Sequence, residues 1–267
     1  MFKISQDIPS TGLEGWFKLE GRSQRSSVQG RIRLKLWLST RDDHGQSEDD
    51  ILIEIRKYES LNIVFMKHEL LTQETSWTWN GEIQGSASTI LHQIAVQGDL
   101  SELQCAMARF VAATTLNNQI PLDPRFIHKL LIEMDRFWVQ VAIEPLGHEQ
   151  EQWLAQAMSR FVEQSLNQMR RHREMFPALH PPSLVRLEFL LRCLGLLGSM
   201  RAFRQVCPFS KGVRGEIVNY LRKGSVLWAQ HQLRDCQRHD NPLVIYSSTL
   251  LADLQTGLTY YHPVFDK

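Results

Sequence analysis

The sequence lacks the short motifs that mark the common enzyme and cofactor sites. It contains no Gly-x-Gly-x-x-Gly, no phosphate-binding loop and no Gly-x-Ser-x-Gly, the patterns that hold dinucleotides, nucleoside triphosphates and a nucleophilic serine. Its four cysteines form no Cys-x-x-Cys pair, so neither a zinc finger nor a redox pair is expected. We therefore expect no catalytic residue, no metal site and no cofactor in this chain.

Long apolar runs and an excess of one charge are also missing. The richest apolar stretch, residues 189–200, is interrupted by Arg192 and two glycines and is shorter than the ~20 residues that cross a bilayer. The N-terminal residues lack the apolar stretch of a signal peptide. The net charge is only +1, and aromatic residues do not interleave with the cations, so nucleic acid is not an expected partner. These absences predict a globular, cytoplasmic protein.

A β-hairpin is predicted near the N-terminus. Residues 31–38 alternate between polar or aromatic and apolar side chains, which places Ile32, Leu34, Leu36 and Leu38 on one face of a strand. A polar turn joins this strand to residues 16–19. Because a lone hairpin buries too little apolar surface to be stable, it either docks on the helices or ends a β-domain whose earlier strands lie outside this chain. The second interpretation is favoured.

The other face of the hairpin and its turn are basic, with Arg22, Arg25, Arg31, Arg33 and Lys35. These cations are candidates for contact with anionic lipid headgroups, at about 1 kcal/mol for each cation near the surface. A solvent-facing strand that uses charge for solubility also explains them, and this interpretation is favoured. A peripheral membrane-binding module stays an alternative hypothesis.

The rest of the chain predicts successive helices without strands between them, and hence an all-α region. Asp99, with Glu102 three residues later, predicts a capped helix start, and Asp123-Pro124 predicts another. We expect Pro145 to end that second helix. The predicted organisation is a hairpin unit, a charged linker and a helical region, at residues 1–41, 42–50 and 51–267. The helices are expected at about 50–71, 86–96, 124–144, 148–175, 181–200, 213–234 and 242–260. One more is expected after Asp99, and it carries Leu103, Met107, Phe110 and Val111.

Two sets of charged side chains on these helices are candidate protein-binding surfaces. The first helix carries Glu54, Arg56, Lys57 and Lys67, and the end of the 148–175 helix carries Arg170, Arg171 and Arg173. Cations near a helix C-terminus complement the helix dipole, and a solvated face explains both sets equally well. His172 and Arg173 are interpreted as a solvated helix end. An all-helical enzyme whose site assembles from distant residues is a further alternative.

Several segments resemble a known family. Gly15-Trp16-Phe17-Lys18-Leu19-Glu20, the Ser/Arg turn and Gly-x-Ile-x-Leu-x-Leu-x-Leu-Ser-Thr resemble the closing hairpin of a C2 domain, and residues 90–100 with the Trp-rich loop before them resemble a MUN-type helical region. The chain is similar to the Munc-thirteen/Unc-thirteen family. The resemblance implies a mainly α fold, an elongated multi-helix bundle like those of vesicle-tethering-complex subunits, preceded by the last hairpin of a C2 domain.

This resemblance also implies a function without catalysis: tethering and priming of secretory vesicles in regulated exocytosis, through Rab GTPases and/or SNARE proteins. The expected location is cytoplasmic, peripherally associated with secretory vesicle, endosomal or plasma membranes. Calcium in C2 domains is held by aspartates between earlier strands, and Asp42 and Asp43 do not match those positions. We therefore expect no calcium site here. The late helical segments of the family that engage SNARE proteins would lie beyond Lys267.

Overall fold

The chain divides into two compact units, Met1–Ser47 and Glu48–Lys267. The computed structural model describes residues 13–18, 30–36, 48–73, 77, 79–142, 145–208, 210, 212–238 and 240–266. The predicted linker, residues 42–50, falls largely outside these ranges, and its limits stay a prediction. The second unit carries the helices.

The first unit contains the predicted hairpin. Strand β1 (Leu13–Lys18) pairs antiparallel with β2 (Arg31–Leu36), and the register places Trp16 opposite Arg33 and Lys18 opposite Arg31. Because opposed residues share a face, these four side chains lie together, and those of Ile32 and Leu34 lie on the other face. The predicted alternation of β2 is confirmed over its described residues. Arg22, Arg25 and the side chain of Lys35 lie outside what the structure describes.

The described residues of the second unit form helices joined by turns and loops, without a strand among them, which confirms the mainly α prediction. A 3-10 turn, Trp138–Ala142, follows the fourth helix, and a π-helical turn, Gly257–Tyr261, joins the last two. The α-helices are α1 (Glu48–Leu71), α2 (Gly85–Gln97), α3 (Glu102–Asn117), α4 (Pro124–Phe137), α5 (His148–Arg170), α6 (His172–Met175), α7 (Pro181–Ser199), α8 (Arg201–Val206), α9 (Val213–Cys236), α10 (Pro242–Thr256) and α11 (His262–Phe265).

The start of α3 corrects the predicted cap. Ser101, and not Asp99, is the N-cap: its hydroxyl accepts from the Gln104 amide at 3.2 Å, and the Gln104 side chain accepts from the Ser101 amide at 2.9 Å. Asp99 has a φ of 49°, in the left-handed region that belongs to turns rather than caps. The capping-box chemistry was therefore predicted correctly and its position was wrong by two residues.

Two predicted helix ends also differ. Helix α4 ends at Phe137 and the chain tightens into the 3-10 turn well before Pro145. The helix predicted over 148–175 breaks at Arg171, where φ is −109° and ψ is 28°. The break lets the short α6 turn His172 into the protein, so the arginines near this position do not share one helix end. The proline-initiated starts of α4, α7 and α10 are confirmed.

The core is built around α3, which is buried on almost all sides and packs against α1, α4 and α5. Its alanines, among them Ala106, Ala108 and Ala112, are 0% exposed, and their small side chains let the neighbouring helices approach closely. Helix α7 buries Leu187, Leu190, Leu194 and Leu197 against α4, α5 and α9. Helix α9 also packs against α5, and the groove described next lies at that junction.

Candidate protein-binding groove

A groove runs between the end of α5, the short α6 and helix α9. Its volume is about 630 Å³. We call it the arginine groove, because its lining includes Arg170, Arg171, Leu227, Trp228, His231 and Arg234. The structure thus brings the predicted arginine cluster together with a face of α9 that the sequence did not connect to it.

A glycine sets the depth of the arginine groove. A Cβ at Gly224 would lie 2.0 Å from the carbonyl oxygen of Arg170, so only glycine lets α9 cross the end of α5 this closely. From this crossing point, Leu227, Trp228 and His231 follow at helical spacing and line the groove. The close crossing therefore fixes one wall of the groove relative to the other.

Arg173 is anchored inside the helical unit. Its Nε donates to Asp253 Oδ1 at 2.8 Å and its Nη2 to Asp253 Oδ2 at 2.9 Å. A third nitrogen, Nη1, donates to Ser225 Oγ at 3.3 Å, and the guanidinium carbon lies 4.9 Å from the Trp228 ring centroid. A bidentate pair of this kind holds its geometry tightly. Arg173 therefore ties α6 to α9 and α10 and positions Trp228.

The other polar and charged side chains of the arginine groove are of two kinds: those held by a partner within the protein and those without an ion pair in the described part of the chain. Arg171 donates from Nε and Nη2 to Glu174 Oε2 at 2.9 and 2.7 Å. On α9, His231 Nδ1 lies 2.9 Å from Asp235 Oδ2. Arg170 and Arg234 are exposed and make no ion pair among the described residues. We call Arg170 and Arg234 the open cations because neither makes such a pair. They lie on opposite walls of the arginine groove.

His172 is buried at the junction between α5 and α6. This corrects its interpretation as part of a solvated helix end. It is 5% exposed; its Nδ1 lies 3.0 Å from the Met169 carbonyl oxygen, and its ring meets Tyr261 and Phe265 edge-on, with centroids 5.0 and 5.9 Å away. Burial, with a smaller contribution from the positive charge of Arg173, lowers the pKa of His172 to about 4. The imidazole is therefore neutral at pH 7.

The predicted surface on α1 is only partly gathered in space. Glu54, Arg56 and Lys57 line a shallow depression between α1 and α2, and Lys57 Nζ pairs with Glu54 Oε1 at 2.5 Å. Lys67 does not line this depression. It lies about three helical turns beyond Arg56 on the same face, roughly 16 Å away along the axis. All three cations are exposed, and a role in binding stays a prediction.

The basic face of the hairpin is exposed where it is described. Arg31 and Arg33 are exposed, and Trp16, which shares their face, is 64% exposed. A tryptophan beside cations is a combination typical of side chains at membrane–water interfaces. The predicted basic face thus includes an exposed aromatic side chain.

Sequence reasoning missed one apolar surface on α10. Leu243, Leu251 and Leu254 are exposed, as is Leu258 in the π-helical turn, and α10 has no buried residue. Their spacing of eight, three and four residues puts them on one helical face, a signal present in the sequence. Exposed apolar patches of this kind occur where proteins associate.

The described residues contain neither a metal-binding cluster nor a membrane-spanning helix. No group of three or more His, Cys, Asp or Glu side chains in this part of the chain is placed to hold a metal ion. None of the helices that the structure describes is both long and apolar enough to cross a bilayer.

Comparison with curated proteins identifies relatives along nearly the whole chain. No family model matches. BAI1-associated protein 3 from Homo sapiens is 30% identical over 273 aligned residues, which cover 97% of this chain and 22% of that protein. Protein unc-13 homolog D from Homo sapiens is 25% identical over 86% of this chain and 20% of its own length. The chain belongs to the Munc-thirteen/Unc-thirteen family.

This membership confirms the resemblance drawn from the sequence. A shorter match, 26% identical over 47% of the chain, is to Protein unc-13 homolog 4B from Drosophila melanogaster. The chain spans about a fifth of the length of the first relatives it matches. The assignment of the hairpin to a C2 domain stays a prediction.

Proposed function

We propose that this chain is a non-enzymatic interaction module of vesicle exocytosis, which helps to tether or prime vesicles by binding Rab GTPases and/or SNARE proteins. It acts in the cytoplasm, peripherally at secretory vesicle, endosomal or plasma membranes. Kinship with the Munc-thirteen/Unc-thirteen family along nearly the whole chain supports this proposal. A function in binding also accords with a helical unit that presents its charged groups on exposed helix faces.

The composition of the arginine groove gives the strongest structural support for this proposal. It combines two open cations, Arg170 and Arg234, with an apolar floor at Leu227 and Trp228. Arginine and tryptophan are enriched among the residues that dominate binding energy at protein interfaces. The close crossing at Gly224 fixes the two walls before any partner arrives, which lowers the entropic cost of binding.

The experiment is a capture of partners by the purified full chain. Secretory Rab GTPases, each loaded with GTP or with GDP, and assembled and separate SNARE proteins are passed over the immobilised chain. GTP-selective capture of a Rab, or saturable capture of a SNARE, supports the proposal. Absence of both, from chain shown to be folded by its thermal unfolding, contradicts it.

The same capture tests whether metal ions take part. We propose that this chain holds no calcium ion and needs no cofactor for binding. Addition of a chelator is then expected to leave the captured amount unchanged. A loss of capture on chelation, restored by calcium, would contradict this part of the proposal.

A second candidate function is peripheral membrane binding through the hairpin. The observation that favours it is the common face of Trp16, Lys18, Arg31 and Arg33, on which an interfacial aromatic stands beside cations. Each exposed cation near an anionic surface contributes about 1 kcal/mol. Vesicles with and without phosphatidylserine test it: flotation that is lost in the variant Arg31→Glu/Arg33→Glu/Lys35→Glu supports membrane binding, and flotation unaffected by this variant contradicts it.

A further inference from the structure

We infer that the arginine groove binds an acidic peptide segment of a partner protein, in which an apolar side chain lies between carboxylates. The inference rests on the proposed function and names the chemistry of the partner that this groove accepts. It assigns roles to Arg170, Arg234, Leu227 and Trp228.

Two of the arginines in the groove are available to a partner. Arg173 is held by Asp253 in a bidentate pair, and Arg171 by Glu174. Arg170 and Arg234 have no such partner among the described residues, and they belong to different helices. A ligand that satisfies both must therefore carry negative groups at two separated points.

The floor of the arginine groove is apolar. Leu227 is 54% exposed, and Trp228 lies beside it with its ring turned toward the Arg173 guanidinium, 4.9 Å away. Burying an apolar side chain against this floor removes apolar surface from water, which favours binding. The ligand is therefore apolar at its centre and acidic at its flanks.

A peptide fits the arginine groove better than a dense polyanion does. Glu174 lines the groove, and Asp235 directly follows Arg234 on α9, so a polyphosphate would meet carboxylates as well as arginines. The cations also line a concave groove, whereas a bilayer presents a broad surface. An extended or helical peptide places single carboxylates at intervals along its length, so it can reach Arg170 and Arg234 while avoiding the carboxylates of Glu174 and Asp235.

Fluorescence anisotropy with the full chain tests the inference. The probe is a short labelled peptide with one leucine flanked by glutamates, and its counterpart has glutamines in place of the glutamates. We expect saturable binding of the acidic peptide, weakened by salt, and about tenfold weaker binding of the glutamine peptide. Equal binding of the two peptides would overturn the inference.

Variants locate the site. The double charge reversal Arg170→Glu/Arg234→Glu is expected to weaken the acidic peptide about tenfold, since it turns two attractions into repulsions. The control Arg214→Glu/Arg222→Glu makes the same change in charge at two exposed positions of α9 that do not line the arginine groove, and is expected to change affinity less than twofold. Leu227→Ala is expected to weaken binding about fivefold through lost apolar contact. Thermal unfolding checks that each variant is folded.

The outcomes separate this inference from the proposed function. If Rab or SNARE proteins are captured but the two double variants bind the peptide equally, the inference is overturned and the proposed function stands. If the peptide binds in an Arg170- and Arg234-dependent way but no Rab or SNARE is captured, the inference stands and the proposed function fails. Binding of anionic vesicles through the same two arginines, without peptide binding, would overturn the inference in favour of a lipid ligand.

Discussion

The stability of the helical unit is predicted to fall between pH 7 and pH 5 because of His172. This side chain is buried at the α5–α6 junction, against the rings of Tyr261 and Phe265, and its pKa is lowered to about 4 from an ordinary value of 6.5. A folded-state pKa below the unfolded one means that the unfolded chain binds the proton more readily. The stabilisation is therefore complete above about pH 6.5 and is lost as the pH falls toward 4.

The size of this effect follows from the two pKa values. A difference of one unit between the folded and unfolded pKa corresponds to about 1.4 kcal/mol, so His172 contributes about 3 kcal/mol in full to the free energy of unfolding. About 2 kcal/mol of this is lost between pH 7 and pH 5. His172→Asn removes the titration and keeps a donor that can reach the Met169 carbonyl oxygen, so it isolates the contribution of the imidazole.

The assay is urea unfolding of the wild-type chain and of His172→Asn at several values between pH 7 and pH 5. We expect the wild type to lose about 2 kcal/mol more than the variant over this interval. His68→Asn, at an exposed position of α1, is the control and should follow the wild type. Equal losses in the wild type and in His172→Asn would refute the argument that this histidine is buried and neutral.

Two further predictions concern the packing and the caps of the helices. Gly224→Ala is expected to lower the free energy of unfolding by at least about 2 kcal/mol, because the new Cβ would meet the Arg170 carbonyl oxygen at 2.0 Å. Gly215→Ala is expected to raise this free energy by up to about 1 kcal/mol, because a Cβ there meets no side chain and no other segment of the chain within 4 Å. Equal effects of the two substitutions in urea unfolding would contradict the close crossing. Ser101→Ala is expected to cost about 1 kcal/mol by removing the N-cap of α3, and a cost from Glu102→Gln but not from Ser101→Ala would contradict the observed cap.

Helix positions could be predicted from the sequence because they depend on local signals. Proline at the first position and apolar side chains at helical spacing located the starts of α4, α7 and α10. The cap of α3 was misplaced because Asp99-Leu100-Ser101-Glu102 offers two capping candidates in succession, and the choice depends on the backbone of the preceding turn, where Asp99 adopts a positive φ.

The arginine groove could be predicted only in part, because its two walls are far apart in the sequence. The charges of Arg170 and Arg171 were visible as a cluster, and nothing local connects them with Arg234. The pair of Arg173 with Asp253 joins residues that lie on α6 and α10, so its formation depends on tertiary packing. The burial of His172 depends on the break after α5, and no proline or glycine in the sequence marks the position of that break.

The most direct test of the central claim is to compare the wild-type chain and Arg170→Glu/Arg234→Glu in the capture of Rab GTPases and SNARE proteins. We expect the wild type to capture a GTP-loaded Rab or a SNARE and the variant, folded to the same extent, to capture about tenfold less. Capture that is equal for the wild type and the variant would show that partners bind elsewhere and contradict the assignment of the arginine groove. No capture by either protein would contradict the proposed function itself.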